Sequence, residues 1–342
     1  MARHLLATQA QDLRGGRLAI RARTTGLTAA DVDVALTDDR SMVVGWLHRG
    51  TLHLVPSADY WWLHALTTPR LATSNHTRLR QEGVDERQAD RGVAIIAEAL
   101  ADGAARTRLD LRVLLDDADV PTAGQALVHL LFAASNAGHA VRGPVVRSGT
   151  STTTEQAFVD PVLWIGPRPE IEFATAEAWL AERYLASHGP ADARDLVKWT
   201  GMALGGARRS LDAIADRTTR WGDGSEVLAT SVGDDGRGRS GTARWPTPRL
   251  LGPFDPILHG WVSREMFVGT HHGVVTSNGV FRPTALVNGH VVATWASEAN
   301  GIRLRPLETI APKDLEALEA EAVDVQRFLG ISQVGIVSID EL

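Results

Sequence analysis

The 342-residue chain contains no cysteine. Disulfide staples, thiol nucleophiles and thiolate metal sites are excluded together, and a reducing, cytoplasmic setting is expected. Lysine is nearly absent: Lys198 and Lys313 are the only two, so a lysine Schiff base would have to use one of them. No apolar run reaches the ~18 residues of a membrane span, and no basic segment followed by an apolar one opens the chain. Neither a membrane helix nor a secretory signal is expected. Excess positive charge is missing as well. The formal net charge is -6, which alone speaks against nucleic acid, since phosphate neutralisation supplies most non-specific affinity for it.

That net value hides an asymmetry. Residues 1–80 hold ten Arg against six Asp, hence +4, while from Pro312 onward Lys313 and Arg327 face seven acidic residues, hence -5. A basic front and an acidic tail suit a polyanion on one face; ordinary surface variation is the alternative. Hydrophobic content of 44% and charged content of 22% fit a globular protein. The length exceeds what one core usually serves, so several modules are expected.

Capping and periodicity outline them. Asp12 precedes a helix over Leu13–Arg23, and Thr28 with Asp31 caps Ala29–Leu36. Ser41–Val55 then reads as a hairpin turning at Arg49-Gly50. Helix, helix, hairpin is the order of a winged helix. It recurs with Arg108–Asp117, the helix Thr122–Gly138 and the strands Ala140–Arg147 and Ala157–Val159 around a Ser148–Thr154 tip, and again, less completely, with Asp192–Thr200 and Leu204–Ile214. No strict period accompanies this order. Ser225–Ser240, rich in Gly, Asp and Arg, reads as a solvated loop. Asn278-Gly279, Asn288-Gly289 and Asn300-Gly301 are turn signals between apolar runs, and Pro312 opens a final acidic helix. The tryptophans Trp61, Trp62, Trp199 and Trp295 are expected in the core.

Near the start stands Gln9-Ala10-Gln11, inside Leu5–Asp12. Side chains at i and i+2 diverge on a helix and share a face in extended backbone. Two glutamines can therefore meet one water only if this segment is extended or forms a helix entrance. Helix-surface residues capping their own backbone are the alternative.

This segment resembles the glutamine–aliphatic–glutamine motif of the bacterial winged-helix DNA glycosylases, the family that includes the azinomycin-resistance enzyme. Trp46–Val55 is similar to its Arg-Gly-Thr-Leu-His segment. Gly124–Leu127 and Gly189–Ala191 resemble its second and third modules, and Leu251–Pro256 with Val287–Gly289 its C-terminal β region. The matches run in order through nearly the whole chain. Members carry a helical segment ahead of the glutamines, whereas here the motif lies eight residues from Met1, so a shortened start or different packing of that edge is expected.

The resemblance implies an α+β protein: three tandem winged-helix modules (1–80, 81–170, 171–224) in a C-shaped scaffold, then a β-rich, barrel-like region (225–342) with a terminal helix. It implies a monofunctional glycosylase acting on N7-alkylguanine-type lesions in double-stranded DNA, with bulky adducts or crosslinks as a further substrate class, as a cofactor-free monomer associated with the nucleoid. The catalytic positions carried over are Gln9 and Gln11. An N7-alkylated guanine is cationic and leaves as a neutral base, so little acid catalysis is needed; what remains is to place a water and stabilise an oxocarbenium-like transition state, which neutral amides can do.

Around them Arg49, Thr51 and His53 alternate onto one face of the hairpin and are candidate DNA contacts; a polar face with satisfied histidines is the alternative. Arg142 and Arg147 on the second wing and Arg208-Arg209 on the third module are candidate phosphate binders, or solvated surface. His271-His272 lacks a third ligand at metal spacing, so no metal is expected. Two rivals stand beside the glycosylase: a winged-helix transcriptional regulator, against which the helix Gly124–Gly138 offers no Arg or Lys, and a hydrolase pairing Asp255 with His259.

Overall fold

The computed structural model describes residues 1–148, 151–221, 228–230 and 247–341, and the side chains of these apart from 147–154 and 228–230. Most of the Ser225–Ser240 loop and the wing tip near 149 lie outside the described residues.

The chain opens with α1 (Ala2–Leu5), β1 (Thr8–Gln9), α2 (Leu13–Arg21), α3 (Ala29–Thr37) and the hairpin β2 (Met42–Leu47)–β3 (Thr51–Pro56). Next come α4 (Ser57–Thr67), α5 (Leu71–Gln81), α6 (Glu86–Leu100), α7 (Arg108–Asp117), α8 (Ala126–Asn136) and the ribbon β4 (Val141–Ser148)–β5 (Ser151–Val159). A short α9 (Pro161–Ile165) leads into α10 (Phe173–His188), α11 (Ala193–Thr200), α12 (Leu204–Asp212) and the pair β6 (Thr218–Arg220)–β7 (Leu228–Thr230). The remainder is β8 (Arg249–Leu251), α13 (Glu265–Val268), β9 (Thr284–Val287), β10 (His290–Glu298), β11 (Gly301–Pro306), α14 (Pro312–Leu329) and β12 (Ile336–Ile339).

The local signals act as expected. Thr28 accepts from the Asp31 amide while the Asp31 carboxylate accepts from the Thr28 amide at 2.7 Å, a reciprocal cap repeated at Thr107/Asp110 and Asp192/Asp195. Asn288 and Gly289, at φ 51° and 82°, form the two-residue turn joining β9 to β10.

One antiparallel sheet of order β1-β3-β2-β4-β5 joins the first hairpin to the second, across residue 80. Both of its faces are covered. Alternate residues of β2 enter different cores: Val44 and Trp46 pack with α8, and Val43 and Leu47 with α4, α10 and α11. The C-terminal sheet has order β12-β11-β10-β9-β8. It is open, so the expected barrel-like closure does not occur. Nor does the chain end in a helix: β12 follows α14 and pairs parallel with β11.

Two contacts fasten the C-terminal part to the amino end. A Cβ on Gly15 of α2 would lie 2.5 Å from the Pro253 carbonyl oxygen, and one on Gly252 would lie 2.7 Å from the Leu18 Cβ; glycine permits this approach. Beside it, the Arg21 guanidinium donates to the Leu250 carbonyl, to Glu321 at 2.7 Å and to Asp324 at 2.8 Å, with its side chain only 2% exposed. The acidic tail thus neutralises part of the basic front, where the sequence suggested opposed surfaces. Replacing Arg21 by alanine leaves Glu321 to Arg249 and Asp324 to Arg327 but takes the buried donor from the Leu250 carbonyl and one cation from each carboxylate, a loss of about 1–3 kcal/mol. A clear drop in the denaturant midpoint of Arg21→Ala is the expected result; an unchanged midpoint would mean that α14 is held elsewhere.

Candidate functional site

The entrance to Gln9 is strained. Leu6, fully buried, takes φ 61° and ψ -57° while the Ala7 amide donates to the Leu5 carbonyl at 2.7 Å. This is a γ-turn of the rarer positive-φ kind. It converts α1 abruptly into β1, whose Thr8 and Gln9 lie opposite Leu54 and His53 of β3. The ladder continues as the Ala10 amide donates to the Leu52 carbonyl at 2.7 Å. It then ends through a side chain: the Leu52 amide donates to Gln11 Oε1 at 2.9 Å. Asp12 accepts from Arg14 and starts α2. Gln9 therefore ends a strand and Gln11 lies in the bend at the entrance of α2, so neither sits on a helix.

Their amides are not equivalent. The donor at Leu52 fixes the Gln11 oxygen, leaving its two N–H donors on an exposed side chain. Gln9 is 8% exposed and its Oε1 is buried without a hydrogen-bond partner. The same holds for Thr51 Oγ1, both ring nitrogens of His48 and His259 Nε2. Buried polar atoms are normally paired, so orphans gathered around one strand are a functional signal.

His53, across from Gln9, has its Nδ1 2.9 Å from the Thr51 carbonyl, the geometry of a donor on that nitrogen. Its ring centroid lies 4.5 Å from His48, and His48 lies 4.6 Å from Trp199 of α11. Burial, then Arg49, pushes the His53 pKa down to about 3. Burial, then His53, holds His48 well below its ordinary value. His259 is lowered to about 3 by burial and then by Arg49, His53, Arg264 and Lys198. At neutral pH these rings are uncharged although cations surround them.

The other sequence candidates separate. Arg49 belongs to the turn, not to the strand face with Thr51 and His53; its Nη1 donates to the carbonyls of Lys198 and Trp199 at the end of α11. Arg142 is a correction. It lies opposite Val44 and its guanidinium covers the Trp46 and Phe158 rings at 5.4 and 5.7 Å. That is the face of the sheet away from Gln9, because Gly45, opposite His53, looks toward Tyr60. The Arg147 side chain lies outside the described residues. Arg208 is exposed on α12, whereas Arg209 pairs with Glu177 at 2.9 Å. Among the described residues neither shares a hydrogen bond or ion pair with the glutamine strand.

Asp255 forms no dyad with His259. Its two oxygens accept from Arg23 at 2.7 and 2.9 Å, and it caps the Ile257 amide. His271 pairs with Glu308 at 3.1 Å, and no group of three or more His, Asp or Glu among the described residues is arranged to hold a metal. Helix α8 buries Leu127, Leu130, Leu131 and Phe132, so it offers little surface to read a groove. Trp61, Trp62, Trp199 and Trp295 are all buried. Sequence reasoning sets His48 on the hairpin without giving it a contact and notes Lys198 only for the rarity of lysine; Arg264, which reaches the site by tertiary contact, it passes over.

A family model described as DNA glycosylase AlkZ-like matches residues 2–328. An interstrand DNA cross-link repair glycosylase of Streptomyces sahachiroi is 28% identical over 324 residues, covering 87% of this chain and 82% of that protein. The solved structure of the Streptomyces sahachiroi DNA glycosylase AlkZ superposes with a TM-score of 0.77 at 23% identity, covering 98% of this chain and 91% of that one. No helix among the described residues is long and apolar enough to cross a membrane.

The buried imidazoles have a consequence for stability. An unfolded histidine titrates near 6.5, whereas His53, His188 and His259 are held at about 3. Between those values the unfolded chain binds protons that the folded chain refuses. Stability is therefore complete above pH 6.5 and falls as pH drops toward 3. Each such ring steepens the slope by up to about 1.4 kcal/mol per pH unit. Denaturant midpoints should be flat from pH 7 to 8.5 and decline below pH 6, less steeply in His259→Asn; equal slopes in the two proteins would contradict a neutral His259.

Proposed function

The chain belongs to the AlkZ-like DNA glycosylase family, enzymes that hydrolyse N-glycosyl bonds, and from that premise we propose that Gln9 and Gln11 excise N7-alkylguanine from duplex DNA. The observation that carries this reading is an unpartnered buried amide oxygen on Gln9, two residues before the anchored amide of the exposed Gln11.

The two amides divide the work. Gln9 Oε1 accepts a hydrogen bond from the attacking water and presents a carbonyl dipole to the cationic sugar. The Gln11 N–H groups donate to the oxygen of that water or to the deoxyribose, while Leu52 holds their direction. As water adds to the anomeric carbon, the glycosidic electron pair goes to the positively charged imidazolium portion of the base, which leaves neutral, and the added water gives up its proton to solvent to leave the sugar hydroxyl. Neither amide titrates, and neither can protonate an undamaged purine. Selectivity for alkylated bases follows from leaving-group chemistry as well as from shape.

In this reading three helix-plus-hairpin units act as tandem winged-helix modules, the protein works as a cytoplasmic monomer on DNA, and bulky adducts or interstrand crosslinks through N7 are substrates. The last point follows the name of the Streptomyces relative. A regulator that reads sequence through α8 has no comparable support, since that helix carries no basic residue.

The test is release of free 7-methylguanine from a duplex containing it. Losing one aligned polar group in a site of this kind costs about 10²–10³-fold. Gln9→Ala should lose that much in rate at unchanged stability. Gln11→Ala should lose activity together with about 1 kcal/mol of stability, because the Leu52 amide loses its acceptor. A double variant that still excises would overturn the assignment. The wild-type rate should stay flat from pH 6 to 8.5, since His53 and His259 are already neutral across that range; a bell with a limb near pH 6.5 would assign the work to a histidine.

A further inference from the structure

Three cationic side chains from distant parts of the chain are brought to one edge of the glutamine site. Arg49 comes from the β2–β3 turn, Lys198 from the last turn of α11 and Arg264 from the segment before α13. Contacts hold these elements together. The Arg49 guanidinium donates to the Lys198 and Trp199 carbonyls. Gly201, at φ 78°, lets it pass, since a Cβ there would lie 3.1 Å from the Arg49 Cγ. The Val262 amide donates to Asp195 at 2.8 Å, tying α11 to the segment that carries Arg264. Arg264 donates from Nε to the Leu258 carbonyl at 2.7 Å and lies 4.9 Å above the Phe281 ring, which packs 4.0 Å from His259.

Among the described residues none of the three forms an ion pair. The Asp255 carboxylate is taken by Arg23, and that of Asp195 accepts from the Asp192 and Val262 amides. The cations repel one another; Arg264 depresses Arg49 after burial does. Holding like charges in fixed positions costs stability unless an anion joins them. Beside them lies the buried, partnerless His259 Nε2.

We propose that Arg49, Lys198 and Arg264, with His259 Nε2 beside them, form a clamp for a backbone phosphate of the DNA strand that carries the target base. Accepting DNA as the partner rests on the preceding reading; the residues and their role do not. Two planar guanidiniums fixed by backbone carbonyls present oriented N–H donors, the arrangement that suits phosphate oxygens. Lys198, exposed and flexible, adds a point charge. The clamp fixes register rather than sequence.

The experiment measures binding of the full-length protein to a fluorescent undamaged duplex between 50 and 200 mM salt. Each phosphate contact contributes about one to the slope of log affinity against log salt. Lys198→Ala, at an exposed position, and Arg264→Ala should each lower that slope by about one and weaken binding several-fold at low salt. Arg264→Lys should keep the slope. Arg194→Ala, an equal charge loss on the exposed side of the same helix, should change it less. Wild-type slopes in both alanine variants, or an equal loss in Arg194→Ala, would overturn the clamp. The two readings separate cleanly: reduced slopes in a protein that releases no 7-methylguanine would support the clamp and sink the lesion assignment, whereas excision with unaltered slopes would do the reverse.

Discussion

The two-residue pairing of β1 with β3 is the constraint on which the site depends. Two residues of ladder would not hold a strand in water. Here the pairing is extended by Ala10 and closed by the Gln11 side chain on the Leu52 amide, then locked by the Asp12 cap of α2. The γ-turn at Leu6 supplies the sharp entry, and its strain is sustained because the Leu6 side chain is fully buried. An α-helical path through Gln9–Gln11 would put the two amides on different faces. The same short ladder therefore serves as structure for the sheet and, in the proposed reading, as geometry for the chemistry.

Charge is arranged on a similar principle of neutralising what the fold needs and leaving the remainder where a ligand arrives. Arg21 meets Glu321 and Asp324, Arg17 meets Asp33, and Arg23 meets Asp255. These pairs bind α2 to α3, α14 and the Leu251–Pro256 segment. The -6 average is thus a poor guide to the surface beside the glutamines, where Arg49, Lys198 and Arg264 have no acidic partner among the described residues. Local fields, and not net charge, decide whether a polyanion can approach.

Local code made much of this legible. The caps at Asp12 and Thr28 and the turns at Gly50 and Asn288-Gly289 are short-range signals, and each lies where the pattern placed it; the same box at Thr107/Asp110 and Asp192/Asp195 is equally local. Helices α4, α5 and α10 lack a side-chain cap, which is why their starts are silent in the sequence; α6 does carry one, at Asp85 and Gln88, and was legible though unread. The Gln-Ala-Gln spacing demanded extended backbone, and the family resemblance supplied the reason to care. The failures are all long-range. Alternation cannot say that β4 turns Arg142 away from Gln9, nor that the open edge of the last sheet is finished by β12. No pattern links residue 198 to residue 264.

The environment of the glutamines is better suited to one charge history than to any other. In the proposed reaction the substrate begins cationic at the base, the transition state moves that charge onto the sugar, and the base departs neutral. A protonated histidine beside such a sugar would raise the barrier, whereas a neutral ring, a carbonyl oxygen and a bound water would not. Burial keeps His48 and His53 uncharged, and Arg49, which helps to do so, points its donors at the carbonyls ending α11 and, in the proposed clamp, at phosphate. In the proposed reading, positive charge is thereby confined to the edge that meets the DNA backbone and kept off the ladder that meets the sugar, a separation that lets two uncharged amides act on a base that is already a good leaving group.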